Sequence, residues 1–157
     1  MATAAMDVRG EYHISTNPEF LDVDAIHAAL TRQYWCLGIP KSIVQRALEH
    51  SLCFGVYRGT VQIGFARVIS DRATFAYLCD VYILEEFRGR GLSKWLMECV
   101  TAHPDLQGLR RFALVTRDAH GLYAQFGFEP LDHPDRRMAV GNRSSYGSQA
   151  LSTHLHG

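Results

Sequence analysis

Residues 79–100 read CDVYILEEFRGRGLSKWLMECV, and this stretch decides the predicted fold. The residues up to position 84 are mostly apolar, β-branched or aromatic, which is typical of a strand. After the turn, apolar residues recur at the spacing of one helical face, at Leu92, Trp95, Leu96, Cys99 and Val100. The stretch therefore predicts a strand, a glycine-rich turn and the beginning of a helix.

The turn before this helix has the features of an anion-binding site. The first N–H groups of a helix have no internal partner, and the helix dipole places about half a positive charge there. Gly89 and Gly91 carry no Cβ that would hold a ligand away from the backbone, and Arg88 and Arg90 add guanidinium groups that match a phosphate. These residues favour a pyrophosphate ligand; the alternative is an ordinary strand-to-helix turn with solvated arginines.

Two motifs give the chain a resemblance to the GNAT superfamily of N-acetyltransferases. Residues 88–93, RGRGLS, resemble the family signature Q/R-x-x-G-x-G/A, with Ser93 in place of the last small residue. Residues 119–129, AHGLYAQFGFE, resemble the second recurrent stretch, A-x-x-L/F-Y-x-x-x-G-F. The resemblance implies transfer of an acetyl group from acetyl-CoA to an amine by direct attack, without a covalent enzyme intermediate.

The resemblance also implies which residues contact the co-substrate. The pyrophosphate would be held by the turn and the first helical residues, namely Arg88, Gly89, Arg90, Gly91, Leu92 and Ser93. A backbone N–H near Val81, Tyr82 and Ile83 would polarise the thioester oxygen. Tyr123 stands where the family has its general acid, and a phenol with a pKa of about 10 can protonate a departing thiolate with a pKa of about 8.5. Thr116 stands where many members have an asparagine that touches the cofactor.

Asp80 is the candidate for contact with the acceptor amine. Family members that act on polyamines have the motif Y-x-E-D-x-Y/F-V, whereas residues 77–83 read YLCDVYI, with Cys79 in place of the glutamate. Period-two alternation predicts that Asp80 shares a face with Leu78 and Tyr82. Because an unpaired buried carboxylate is costly, Asp80 is predicted to be either a hydrogen-bonded structural group or a base or amine-binding group.

Two aromatic residues between the first two predicted helices are candidates for substrate contact. The resemblance implies that this segment lines the acceptor pocket, which makes Tyr34 and Trp35 the substrate-binding candidates; the alternative is that they pack in the core at a helix end. His120 is predicted to be an exposed histidine or else a proton relay. The remaining histidines show no metal-ligand spacing, so no metal site is expected.

The whole chain predicts a mixed α/β sheet with helices on both faces, which is also the fold that the resemblance implies. Three antiparallel strands, a strand–helix–strand crossover with parallel pairing and a closing hairpin would build the sheet. The predicted strands are residues 12–15, 52–57, 61–69, 74–84, 112–116, 128–131 and 136–140. The predicted helices begin at Asp22 or Asp24 and end near Tyr34, then cover residues 41–50, 91–103 and 119–126, the last capped by Asp118.

Composition narrows the class of protein and its partners. The 157 residues predict one domain, with residues 1–10 and 142–157 as flexible ends; the alternative for residues 142–157 is an arm onto a partner subunit. Sixteen basic residues balance sixteen acidic ones, which disfavours nucleic acid as a partner and favours a small amine over a histone-like tail. With no signal segment and no long apolar run, the chain is expected to be cytoplasmic and not membrane-bound. A homodimer is common in the family, and the four scattered cysteines are expected to be free thiols.

Two other functions stay open at this point. One is a non-catalytic acyl-CoA-binding or regulatory module that keeps the glycine-rich turn without turnover. The other is a transferase that uses a longer acyl-CoA. Neither the acceptor nor the acyl chain length follows from a resemblance at the level of the fold.

Overall fold

The computed structural model of this chain describes residues 6–141 and Tyr146, which form a mixed sheet with helices on both faces. The strands follow chain order across the sheet and are β1 (Met6–Arg9), β2 (Tyr12–Ser15), β3 (Leu52–Arg58), β4 (Val61–Ser70), β5 (Phe75–Ile83) and β6 (Arg111–Leu114). Pairing is antiparallel from β1 to β5 and parallel between β5 and β6. The α-helices of the described residues are α1 (Val23–Leu30), α2 (Lys41–Glu49), α3 (Leu92–Ala102) and α4 (His120–Ala124). The predicted fold class is confirmed.

Both faces of the sheet are buried because successive strand residues point to opposite sides. On β3, Phe54 and Val56 belong to a cluster with Trp95 of α3. Cys53, between Leu52 and Phe54 in sequence, belongs to a second cluster with Val44 of α2 and residues of α1. Full burial of one large apolar side chain contributes about 1.5–3 kcal/mol relative to an exposed position, so the two clusters hold the helices on their faces.

The crossover from β5 to β6 has the form that the sequence predicts. α3 begins at Leu92 with Gly91 as its N-cap and ends before His103 and Pro104. A proline fits the first turn of the following 3₁₀ segment and cannot continue α3 with a hydrogen bond of its own. α3, with eleven residues, is the longest of the described helices. Among residues 6–141, no helix combines the length and the hydropathy needed to cross a membrane.

The amino-terminal end differs from the flexible end expected for residues 1–10. Met6–Arg9 form β1 at the edge of the sheet and pair with β2. Asp7 Oδ2 accepts a hydrogen bond from Trp95 Nε1 at 2.6 Å, and Arg9 pairs with Glu98 at 2.8 Å. These partners lie on α3, about ninety residues further along the chain, so residues 1–10 read by themselves do not reveal them. Residues 1–5 lie outside the described part of the chain, as does the predicted tail 142–157 except for Tyr146.

The predicted closing hairpin is wrong. Residues 128–131 and 136–140 form no strands, and Pro134–Arg136 form a 3₁₀ turn instead. Met138 is 96% exposed and Val140 fully exposed, so the apolar side chains of this segment are not packed against the sheet. Pro130 and Pro134 also lack the N–H group that a strand ladder needs. β6 is therefore the edge strand of the sheet on this side within the described residues.

Candidate functional site

A β-bulge in β5 is the feature around which the site is built. Phe65 pairs with Tyr82 and Arg67 with Cys79, so β5 places one residue more than β4 between these pairs. Asp80 lies in the bulge and has a φ of 57°, in the left-handed region that non-glycine residues rarely adopt. Such strain at one residue is typical of functional sites.

The bulge corrects the predicted alternation along β5. Leu78 belongs to the cluster on the α3 face, whereas Tyr82 belongs to the cluster on the face of α1 and α2. Period two would put both on one face, but the extra residue reverses the alternation. Asp80 reaches Trp35, in the segment between α1 and α2, and so lies on the α1–α2 side together with Tyr82.

A gap opens beside the bulge because β5 continues after β6 has ended. The last pair between these strands is Leu78 with Leu114, and residues 79–83 have no partner on β6. The amide of Leu84 donates to the carbonyl of Ile63 in β4. Successive N–H groups of a strand point to opposite sides, so the amide of Ile83 points into the gap, where it can polarise a carbonyl oxygen.

The glycine-rich turn forms an open cradle at the N-terminus of α3. Gly89 and Gly91 have φ angles of 77° and 75°, which glycine adopts without the penalty of a side chain. A Cβ built on either residue would meet no atom within 4 Å beyond its own neighbours along the chain, so the space above the turn is free for a ligand. A cavity of about 120 Å³ lies there, lined in part by Ile83, Leu92 and Ser93. These residues fit the pyrophosphate of a CoA molecule.

The two arginines of the turn have structural partners as well as exposed positions. Arg88 Nε donates to the carbonyl oxygen of Ile83 at 3.0 Å. Arg90 lies over the Phe87 ring at 5.7 Å, and its Nη1 donates to the Tyr12 hydroxyl at 3.2 Å. The guanidinium groups are therefore anchored beside the cradle, and each keeps N–H donors for a phosphate.

Asp80 is the centre of a polar network in which its pair with Arg67 is largely buried. Its Oδ1 accepts from Trp35 Nε1 at 3.0 Å and its Oδ2 from Arg67 Nε at 2.8 Å. Arg67 Nη1 also donates to Ser51 Oγ at 3.1 Å. The side chains of Arg67 and Asp80 are only 17% and 12% exposed. Asp80 thus has the structural partners of the first predicted alternative, and its carboxylate keeps lone pairs for a further donor.

Arg67 is a residue of this site that the sequence reasoning missed. It lies inside the apolar run of β4, between Ala66 and Val68, both of which are fully buried. A cation at such a position needs a buried anion, which is the argument that singles out Asp80 on β5. Applied to both strands, this argument would have predicted the pair.

Replacing Asp80 by asparagine is expected to lower the free energy of unfolding by about 3–5 kcal/mol. Asparagine tolerates the left-handed backbone, so the loss reports mainly the buried, uncompensated charge of Arg67. Glu98→Gln is the matched control, because the Arg9–Glu98 pair is exposed and is worth about 1 kcal/mol at most. Urea unfolding of the three proteins measures both values. Equal losses in the two variants would contradict a buried pair.

The two aromatic candidates lie at the surface rather than in the core. α1 ends at Leu30, earlier than the predicted end near Tyr34, and Tyr34 and Trp35 fall in a 3₁₀ turn, Tyr34–Cys36, between α1 and α2. Tyr34 is 52% and Trp35 43% exposed, while Cys36 takes the buried position. The rings of Tyr34 and Trp35 meet edge to face at 5.2 Å. The alternative of core packing is therefore wrong.

Arg117, which follows β6, lies over the ring of Tyr34, and the sequence reasoning missed it as well. Its guanidinium carbon lies 4.0 Å from the centre of the Tyr34 ring, within the range of a cation–π contact. Arg117 follows Thr116 in the loop between β6 and α4. No sequence signal beyond its place just before the second motif could have identified it.

Tyr123 lies in α4, half-buried, on the other side of the gap. Its ring meets the Phe128 ring edge to face at 6.1 Å and packs against the cluster that contains α3. Burial, with a smaller contribution from the negative charge of Asp118, raises the pKa of Tyr123 above its ordinary value of 10.0. The phenol is therefore protonated at neutral pH.

Thr116 forms the side-chain cap before α4 that was predicted for Asp118. Its Oγ1 accepts a hydrogen bond from the amide of Ala119 at 3.0 Å, whereas Asp118 makes no capping bond to α4. Threonine lies three residues before the amide that it binds, the spacing of a side-chain cap. The Asp118 cap is a wrong prediction. His120, in the first turn of α4, is exposed.

Three cysteines lie close to the Asp80 network, and all of them are free thiols as predicted. Burial, together with the charge of Asp80, raises the pKa of Cys36 and of Cys79 to about 12. Burial raises the pKa of Cys53 to about 12 as well. A thiol with such a pKa is protonated at neutral pH and is a poor nucleophile.

The bulged strand, the gap beside it and the open cradle are the architecture of the GNAT acyltransferases. The model described as the acetyltransferase (GNAT) family matches residues 18–128. This match covers more than half of the chain. The chain therefore belongs to the GNAT acetyltransferase family.

Individual relatives agree with this assignment. A structure from Xanthomonas campestris pv. campestris, described as an acetyltransferase of the GNAT family, is 53% identical, covers 88% of this chain and 99% of its own, and has a TM-score of 0.85. The Gibberella zeae protein FG08082, whose name assigns it to the acetyltransferases, is 39% identical over 74% of this chain and 78% of its own length. A Clostridium acetobutylicum acetyltransferase solved with acetyl-CoA shares the fold at 15% identity, 87% and 96% coverage and a TM-score of 0.60.

Proposed function

We propose that this chain transfers an acetyl group from acetyl-CoA to the primary amine of a small molecule. The observation that carries the proposal is the cavity at Gly89 and Gly91, which is also lined by Ile83 of β5, the strand that borders the gap. Acetyl-CoA supplies an activated acyl group when it is bound there. The backbone and guanidinium groups of residues 88–93 hold its pyrophosphate, and Thr116 offers a hydroxyl at the edge of the gap.

Two groups of the chain act on the reacting atoms. The amide of Ile83, which points into the gap, donates to the thioester oxygen as negative charge develops there. Tyr123 gives its phenolic proton to the departing thiolate as the carbon–sulfur bond breaks and the carbon–nitrogen bond forms. The proton that the acceptor nitrogen loses passes to solvent, directly or through Asp80, and Tyr123 is reprotonated from solvent.

Direct attack is supported because the general acid and the residues proposed to contact the acceptor lie on opposite faces of the sheet. Tyr123 packs on the α3 face of the sheet, whereas Asp80 and Trp35 lie on the α1–α2 face. An amine that enters along Trp35 can therefore attack a face of the thioester carbonyl while Tyr123 protonates the leaving sulfur. A covalent acyl-cysteine route is disfavoured, because burial raises the pKa of Cys79, the thiol next to Asp80, to about 12.

Asp80 contributes to the acceptor side. Its carboxylate keeps lone pairs beyond the bonds to Trp35 and Arg67, and it binds the incoming ammonium or takes its proton. The neutral charge of the whole chain favours a small metabolite over a basic protein tail as the acceptor.

Acetyl-CoA is expected to raise the thermal unfolding temperature of the protein. A ligand that binds only the folded state stabilises it by about 2.7 kcal/mol at a hundred times its dissociation constant. ATP and NAD are the controls, since they carry a pyrophosphate and an adenine but no pantetheine arm for the gap. Scanning calorimetry with each compound measures the shift.

The reaction with amines is then measured by the release of the CoA thiol. A clear shift with acetyl-CoA but no thiol release with any primary amine would reject the transferase and favour a binding module. If a longer acyl-CoA gives a larger shift of the unfolding temperature and faster thiol release, it would replace acetyl-CoA as the proposed acyl donor.

A further inference from the structure

We propose that the acceptor amine carries a second, anionic group, a carboxylate or a phosphate, and that Arg117 binds it. This inference rests on the proposed function, whose acceptor enters along Tyr34 and Trp35. It names the chemical class of the acceptor, which neither the family nor the relatives define.

Arg117 is held in place while its hydrogen-bond donors stay available. Its guanidinium lies on the Tyr34 ring at 4.0 Å. Tyr34 is held in turn by the edge-to-face contact with Trp35 at 5.2 Å. A stacked guanidinium uses its face for the ring and keeps its five N–H groups along the edge, where they match two oxygens of a carboxylate or phosphate. The stack reduces the freedom that the arginine would lose on binding.

The contacts place Arg117 on the acceptor side of the gap rather than at the cradle. Trp35, which supports Tyr34, donates to Asp80 at the bulge with an N–O distance of 3.0 Å. Arg117, Tyr34, Trp35 and Asp80 thus form one continuous wall from the loop after β6 to the bulge in β5. The cradle at residues 88–93 lies at the α3 N-terminus, whose helix packs on the opposite face of the sheet.

The negative charge of Asp80 and the positive charge of Arg117 lie at different places along this wall, which suits a molecule that carries both a positive and a negative group. Asp80 lies at the bulge, next to the reacting position, and is paired with Arg67 beneath it. Within residues 6–141, no carboxylate lies within ion-pair distance of Arg117. An ammonium near Asp80 and an anionic group at Arg117 would both find an opposite charge.

The anion could be a carboxylate or a phosphate, and matched amines distinguish the two. The first set pairs each common amino acid with its neutral carboxamide. The second pairs phosphoethanolamine with ethanolamine. Turnover is measured as thiol release at saturating acetyl-CoA. We expect the anionic member of at least one pair to have a kcat/KM about 10- to 100-fold above its neutral partner, the range of one bidentate charge-assisted contact.

Substitutions of Arg117 test its part directly. Arg117→Gln is expected to remove this preference by raising KM for the anionic amine, with kcat within about twofold, since the contact is the same in the ground and transition states. Arg117→Lys keeps the charge but not the fork and should retain part of the preference. Arg110→Gln is the matched control, because Arg110 is an exposed arginine just before β6, at the opposite end of that strand.

Binding without turnover separates this inference from the proposed function. Calorimetry measures amine binding to the complex of the protein with CoA, in wild type and in Arg117→Gln. Anionic amines that bind through Arg117 without thiol release would reject the transferase but support the anion site. Equal use of charged and neutral amines, or loss of acetyl-CoA affinity in Arg117→Gln, would overturn the anion site and leave the transferase standing.

Discussion

Gly91→Val is expected to lower the affinity for acetyl-CoA by at least about 100-fold, because it fills the space in which the pyrophosphate is proposed to lie. Two lost charge-assisted hydrogen bonds at about 1.5–3 kcal/mol each account for such a loss. A Cβ at Gly91 meets no atom within 4 Å beyond its own neighbours along the chain, so the valine projects into the cradle and not into the core. Isothermal titration with acetyl-CoA measures the change.

Gly108→Val separates loss of the cradle from backbone strain. Gly108 has a φ of 68° and also offers open space for a Cβ, but it lies in the turn before β6. Both variants force an L side chain into the left-handed region, at a cost of about 1–2 kcal/mol. The two proteins should therefore unfold at similar temperatures, while only Gly108→Val keeps its affinity. Normal binding by a folded Gly91→Val protein would rule out this position for the pyrophosphate.

Tyr123→Phe is expected to lower kcat by about 100- to 10,000-fold, the usual contribution of general acid catalysis. The substitution keeps the ring that packs against Phe128 and removes the proton donor alone. Since the proton is needed in the transition state and not for binding, the dissociation constant of acetyl-CoA should change less than about threefold. Stopped-flow thiol release and equilibrium binding together give this split.

The pH dependence of the wild-type protein provides a second readout of Tyr123. A general acid loses activity as the pH rises through its pKa, and burial raises the pKa of Tyr123 above 10.0. The alkaline loss of kcat should therefore begin only near pH 10 or above and should be missing from Tyr123→Phe. A loss that is complete below about pH 9, or one that persists in the variant, would assign the acid to another group.

Tyr57→Phe is the control for the loss of a phenol. The Tyr57 hydroxyl is buried and has no hydrogen-bond partner among the residues that the structure describes. Removing it should leave kcat unchanged and leave the free energy of unfolding equal or higher by about 1 kcal/mol, because an unsatisfied buried group disappears.

The prediction of the fold succeeded where the pattern is local. The apolar spacing from Leu92 to Val100 and the glycines before it define a strand–turn–helix unit without reference to the rest of the chain. It failed at both ends. β1 is stabilised by Trp95 and Glu98 of α3, and residues 136–140 find no partner over which to form a strand. Both outcomes depend on surfaces that are distant in sequence.

By itself, the sequence determined strands β2 to β6 of the mixed sheet, the glycine-rich turn at Gly89 and Gly91, and the motif that contains Tyr123, because each of these is encoded within about ten consecutive residues. Only the tertiary structure decided the surroundings of Asp80. The bulge reverses the alternation of β5, and the contacts to Trp35 and Arg67 cross between elements. A single added residue in a strand moves every following side chain to the other face of the sheet. The spacing of apolar residues does not encode that addition.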